Sequence, residues 1–166
     1  MSSVAVQEIV LNLGDQVRLY HRLLDLAQAQ LAALQQQDVR LVHAILQEIE
    51  MVMLDRSKVE QRRGVAINTV AAELGIPSDE ITASLLQGIA DVPLAQALES
   101  ASAKLRGLVK ELDVVVGKNR VLLEHELAVI DHMVKGMTAV PAANATYGKT
   151  GAQHELPRLK ILDAQV

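Results

Sequence analysis

The residues with the clearest capacity for chemistry form a short stretch near the end of the sequence. Residues 143–150 read A-N-A-T-Y-G-K-T, which fits a relaxed phosphate-binding loop with alanine in place of the first glycine. A phosphate loop joins a strand to a helix, so that backbone N–H groups and the helix amino terminus converge on the phosphate. Here the stretch follows a predicted helix, and Gly151 and Pro157 interrupt any helix after it. We therefore expect neither a nucleotide nor another small-molecule substrate.

The histidines are the other candidates, because carboxylates are the only further metal ligands in a chain without cysteine. They are His21, His43, His125, His132 and His154. His125 and His132 would lie about 10.5 Å apart along one helix axis, too far to hold one ion without a third segment. The chain has no H-E-x-x-H motif and no serine or glutamate pair spaced for nucleophilic or acid–base chemistry. We expect no metal, no cofactor and no catalytic residue, and hence no enzyme.

Composition indicates a single helical domain. Half of the 166 residues are hydrophobic but only 1% are aromatic, whereas sheets use aromatic and β-branched side chains. Abundant Leu, Ala, Gln and Glu favour helices instead. A net charge of −4 argues against a nucleic-acid partner, because such proteins present a basic face. The mean hydropathy of +0.20 indicates that a partner covers some apolar surface.

The cellular compartment is inferred from features that the sequence lacks. The chain has no cysteines, and no amino-terminal segment resembles a signal peptide. It also has no apolar run of roughly 18 uncharged residues that would span a membrane. We therefore expect a cytoplasmic protein.

The chain is organised around residues 93–137, which follow an N-cap candidate, Asp91, and contain no proline after Pro93. Alternating steps of four and three along this stretch give an apolar heptad seam that Asn119 and Glu126 interrupt. A helix of this length would reach roughly 67 Å, and other segments must lie along it to cover the seam. Asparagine in such a seam fixes the packing register; alternatively, the seam opens at Asn119 and this residue contacts a bound chain.

Two further long helices precede this stretch. A heptad count from Val6 stays apolar or aromatic as far as Leu34. Asp38 is an N-cap candidate for a second helix, which Gly75 and Pro77 end. The predicted helices cover about residues 4–36, 38–74, 78–89 and 92–137.

The second predicted helix contains a run of charges: Asp55, Arg56, Lys58, Glu60, Arg62 and Arg63. A solvated helix face is the ordinary interpretation of such a run. The alternative is that Arg56 and Arg63, two turns apart on the seam, present a basic rung to an acidic group of a partner. The spacing alone does not decide between these two.

Prolines and glycines are spread over residues 138–166, which predicts a mostly irregular, flexible tail. Its leucine spacing allows a short amphipathic helix over residues 155–164, which would order only against the bundle, another copy or a partner. The predicted fold is all-α. It is an elongated antiparallel helical bundle over residues 1–137, with three long helices, one short helix and coiled-coil-like packing.

Several short patterns occur in a specific order along the chain. They are Y-H-R-L-L-D-L at 20–26, the charged stretch 58–63, L-G at 74–75, N-R-V-L at 119–122 and Y-G-K-T-G at 147–151. In this order they resemble the FlgN-like family, the flagellar type III export chaperones of the hook–filament junction proteins.

This resemblance implies a cytoplasmic chaperone without catalysis. Members of the family hold C-terminal helical segments of hook-associated junction proteins, prevent their premature assembly and deliver them to the type III export apparatus. Their client contacts lie in the last long helix, which here gives Leu112, Val116, Asn119, Leu123, Leu127, Ile130, Val134 and Met137. The resemblance also implies docking at the membrane export gate through Tyr147 and Gly148, and contact with the ATPase complex of the apparatus.

The apolar seam favours the same function on physical grounds. Three long helices leave one side of a bundle unfilled, and an amphipathic client helix would fill it. The alternative is a non-catalytic coiled-coil structural protein that dimerises through the same seam and has no client. A weak homo-oligomer is compatible with both.

Overall fold

The computed structural model describes residues 2–138 of the chain. These residues form α1 (Ser2–Gln35), α2 (Val39–Leu74), a 3₁₀ turn (Ser78–Glu80), α3 (Ala83–Ile89) and α4 (Val92–Thr138). The described part contains no strand, and the all-α class is confirmed. The predicted tail, with its helix over 155–164, lies outside the described residues from residue 139 onward.

Three helices begin at a side chain that accepts a hydrogen bond from the first turn. Asp38 accepts from Leu41 N at 3.0 Å and Asp91 accepts from Leu94 N at 3.1 Å. Both caps are confirmed, and each satisfies a backbone donor that the helix itself cannot pair. The third, at the start of α3, is Thr82.

The predicted helix over residues 78–89 is wrong as a single helix. The 3₁₀ turn ends at Glu80, and Ile81 and Thr82 are extended before α3 begins. Adjacent β-branched residues lose side-chain freedom in a helix. Thr82 is instead used as the N-cap of α3, where its hydroxyl accepts from Leu85 N at 3.2 Å.

The chain divides into two compact units, Met1–His125 and Glu126–Val166. The first unit therefore ends earlier than the boundary at residue 137 that the sequence suggested. It contains α1, α2, the 3₁₀ turn, α3 and the part of α4 up to His125. The second unit is described only over residues 126–138, the last turns of α4.

Helix α1 is the helix around which the first unit packs. The pairs Leu23–Leu24 and Leu26–Ala27 are all buried, so α1 is covered on more than one side. It packs against α2 and contacts α3. The end of α1 and the start of α2 form a hydrophobic cluster. It consists of Leu26, Ala33 and Ile45, with Val42, Ile49 and Val52 packed against them.

The order of contacts fixes the direction of α4 in the first unit. A short connection makes α1 and α2 antiparallel, and α3, which follows α2, returns to α1. Helix α4 starts after α3 and reaches Ala27 and Gln30, late in α1, at Asn119. It therefore runs parallel to α1 and antiparallel to α2. Its buried seam in this unit consists of Leu98, Ser102, Leu105, Leu108, Leu112 and Asn119.

No helix in the described residues combines the length and apolar character needed to cross a membrane.

Two glycines of α2 are expected to respond to alanine in opposite directions. Gly75 has φ +68° at the helix end, so Gly75→Ala should destabilise the chain by about 1–2 kcal/mol. Gly64 lies within α2 with nothing near the position of a Cβ, so Gly64→Ala should stabilise it by roughly 0.5–1 kcal/mol. Urea unfolding followed by circular dichroism measures both changes; shifts of the same sign would contradict the assignment.

Candidate functional site

The most distinctive surface of the second unit is an exposed apolar face on α4. Leu127 and Ile130 are 52% and 54% exposed, and Val134 and Met137 are more than half exposed. Steps of three and four place these residues on one side of the helix. We call these four residues the α4 apolar face. Met133 borders it and is also exposed.

Charged and polar residues lie beside this face on the same turns. Lys135 Nζ lies 2.7 Å from Asp131 Oδ2, one turn apart, and His132 is exposed nearby in sequence. The helix over residues 126–138 is therefore amphipathic, with apolar and charged sides. Complete burial of a large apolar side chain contributes about 1.5–3 kcal/mol, and a partner that covered this face would supply part of that for each residue, since each is already partly buried.

The other four residues of the predicted client site belong to the first unit, and their burial differs. Leu123 is exposed and Val116 is half-buried. Leu112 and Asn119 are each only 3% exposed. In this arrangement Leu112 and Asn119 are core residues, and a client would reach them only if the bundle opened. Their role in binding stays a prediction.

Asn119 joins α4 to α1 through polar contacts within an otherwise apolar seam. Its Nδ2 donates to Ala27 O and to Gln30 Oε1, both at 3.0 Å. Its own Oδ1 is buried and has no hydrogen-bond partner in the described structure. A buried acceptor without a partner costs about 1–3 kcal/mol. We call Asn119, Gln30 and the Ala27 carbonyl the Asn119 clasp.

Arg56 is neither a solvated residue nor a docking rung, because α1 and α2 bury it between them. It is 9% exposed, its Nε donates to Glu60 Oε1 at 2.8 Å, and its guanidinium lies 5.8 Å from the centre of the buried Tyr20 ring. The ion pair and the cation–π contact compensate the buried charge. Arg63 behaves similarly, since its Nη1 donates to the buried Gln16 Oε1 at 3.2 Å.

The remaining charges of this run line a shallow cleft of about 260 Å³ between α1 and α2. Asp15, on α1, pairs with Arg18 and lies 3.7 Å from Arg62, while Lys58 pairs with Asp55 at 3.4 Å. The cleft holds two acids and three bases, and each of these charges takes part in an ion pair within it.

The candidates for metal or nucleotide chemistry receive no support from the described residues. No group of three or more histidine, aspartate or glutamate side chains converges there on a common point. His21, His43, His125 and His132 are all exposed. His154, the stretch 143–150 and the gate-docking candidates Tyr147 and Gly148 lie outside the described residues.

Comparison with known families complements this geometry. A family model described as FlgN protein matches residues 1–155. The chain belongs to the FlgN family. This is the flagellar export chaperone family, so the FlgN-family chain is a flagellar export chaperone in general terms. Neither the comparison with curated proteins nor that with solved structures found a match.

Two contacts of this FlgN-family chain escaped the sequence interpretation. Gln30 lies beside the α1 seam, and nothing in its spacing marked it as the partner of Asn119. The burial of Arg56 did leave a signal, because this residue occupies a heptad position of α2 where an apolar residue is expected. Tyr20 also lies on a seam, and its aromatic ring makes the cation–π contact with Arg56.

Tyr20 should make stability depend on pH in the alkaline range. Burial raises the pKa of the Tyr20 phenol; Arg56 opposes this, Glu60 adds to it and Arg63 opposes it. A raised folded-state pKa means that this contribution is complete below the unfolded value of about 10 and is lost as pH rises through the folded value. Tyr20→Phe should therefore lose less unfolding free energy across this range than the unaltered chain.

The titration is measurable directly, because the chain has two tyrosines and no tryptophan. In a Tyr147→Phe variant, the ultraviolet absorbance of tyrosinate reports Tyr20 alone. We expect its midpoint above that of the same variant in denaturant. Coinciding midpoints would contradict burial of the phenol.

Proposed function

We propose that this chain captures the C-terminal helical segments of hook-associated junction proteins on the α4 apolar face. Capture would take place in the cytoplasm and prevent premature assembly of the client. The chain would then deliver the client to the export gate and ATPase complex of the flagellar export apparatus. Family membership supports an export chaperone; the client and its destination are our proposal.

The observation that carries this proposal is the exposure of the α4 apolar face, with the Asp131–Lys135 ion pair beside it on the same helix. An amphipathic helix binds such a face through residues three and four positions apart, matching the spacing of Leu127, Ile130, Val134 and Met137. Met133 and Met137 add unbranched side chains that adapt to partners of different shape. A helical client segment is therefore the best match to this surface.

The other predicted client-binding and docking residues would contribute to function in different ways. Leu123 offers an exposed apolar side chain in the first unit, and Val116 offers a half-buried one. Leu112 and Asn119 would take part only after rearrangement. Docking at the export gate through Tyr147 and Gly148 is proposed from the family resemblance alone.

A second candidate function is a coiled-coil protein that dimerises through the same face without a client. The exposed spacing on α4 suits a second copy of the helix as well as a client. Light scattering over a dilution series separates these functions. A dimer that persists on dilution favours the structural function, whereas a monomer that binds junction-protein segments favours the chaperone.

Charge on the α4 apolar face should abolish client capture. Leu127→Asp with Ile130→Asp places two carboxylates where apolar contacts form, and we expect at least about a hundredfold weaker binding. The measurement is fluorescence anisotropy with labelled peptides that carry the C-terminal helices of the junction proteins from the same organism.

A matched control exists on the same helix. Val114 and Val121 are 58% and 64% exposed, and their helical positions point away from the α4 apolar face. Val114→Asp with Val121→Asp adds the same charge and should leave peptide affinity within about twofold. Equal losses in both double variants, or none in either, would refute the proposed surface.

A further inference from the structure

The buried seam of α4 in the first unit changes character along its length. Leu98, Leu105, Leu108 and Leu112 are all buried. Beyond them, Val115, Val116 and Leu122 are only half-buried, and the buried position among these is the polar Asn119. The late end of the seam thus has fewer fully buried apolar side chains than the early end. Regions with few buried apolar contacts open most readily.

The contacts of Asn119 favour opening further. In the closed seam its Oδ1 is buried without a partner, while its Nδ2 bonds only to α1. On opening, water would satisfy Oδ1 and replace both amide bonds, so that little hydrogen bonding is lost. Opening the leucine layers exposes apolar surface, which opposes opening there. Asn12 Oδ1, earlier on α1, is also buried without a partner, so the two ends differ mainly in their apolar contacts.

We propose that α1 and α4 separate at the Asn119 clasp while the leucine layers, formed by Leu98, Leu105 and Leu108, stay closed. We call this local opening the gate, and the clasp sets how often it occurs. Opening would expose Val116 on α4, with Ala27 on α1. These residues would then offer additional apolar surface to a client helix. The role in client binding rests on the proposed function, whereas the opening itself does not.

The clasp also differs from an asparagine that merely fixes register. A register contact fixes one alignment, and it does not require its own end of the seam to open more often than the other end. If the Asn119 clasp controls the gate, it sets how often its own end of the seam opens. The two roles therefore differ in the accessibility of buried residues near Asn119.

The opening can be tested without a client, because a chain without cysteines permits single thiol reporters. Ala27→Cys reports the clasp end and Ser102→Cys the leucine end; both replace small side chains that are 3% and 6% exposed. Since both sites are buried, static exposure predicts similarly slow reaction of the two cysteines with an alkylating reagent. The gate instead predicts that Ala27→Cys reacts faster by about tenfold.

A sealed variant, Gln30→Leu with Asn119→Leu, removes both side chains of the clasp together and leaves neither amide unpaired. It should slow alkylation of Ala27→Cys to about the rate of Ser102→Cys and leave the latter unchanged. Equal rates in the unsealed chain, or a rate at Ala27→Cys that sealing does not change, would overturn the gate. The two reporters in the unsealed chain decide the question even if the sealed variant misfolds.

The same sealed variant then tests the link to client binding. We expect it to bind the labelled junction-protein peptides about tenfold more weakly than the unaltered chain. Unchanged affinity would overturn the client role of the gate and leave the α4 apolar face standing. If the unaltered chain binds no peptide, the proposed function fails, while the alkylation rates still decide whether the gate opens.

Discussion

The wide apolar surface of α1 is the constraint on which the first unit depends. Leu23, Leu24, Leu26 and Ala27 are buried on adjoining sides of one helix, which a single neighbour cannot cover. Helix α2 folds back along one side, α3 returns the chain to α1, and α4 then lies parallel to α1 as far as the Asn119 clasp. The helix order and direction follow from the need to cover this one surface.

The buried polar residues of the first unit differ in how completely their hydrogen-bonding groups are satisfied. Between α1 and α2, Arg56 is compensated by Glu60 and the Tyr20 ring, and Arg63 by Gln16. Asn119, which contacts α1 from α4, and Asn12 on α1 each leave a buried acceptor unsatisfied. A satisfied polar network makes packing specific, whereas a partly satisfied one weakens it. The α1–α2 contacts around Arg56 and Arg63 are thus the firm part of this unit, and the contacts around Asn119 are its adaptable part.

Much of the fold could be predicted from the sequence, because heptad spacing and capping residues are local signals. Asp38, Asp91 and the left-handed Gly75 show this in the structure. The break at Ile81 and Thr82 was missed because either residue is tolerated in a helix and only their shared context favours a cap. For the site, apolar spacing marked α4, but spacing does not reveal burial. Leu112 and Leu127 occupy similar patterns, yet only Leu127 is exposed.

We propose that the α4 apolar face receives the client helix. Hydrogen exchange of the unaltered chain, with and without the junction-protein peptides, tests it most directly, since residues 126–138 and α2 give separate peptic fragments. A bound client should slow exchange in residues 126–138 at least about tenfold and leave α2 within about twofold. Unchanged exchange in residues 126–138 at saturating peptide, with protection appearing in α2 instead, would contradict the account.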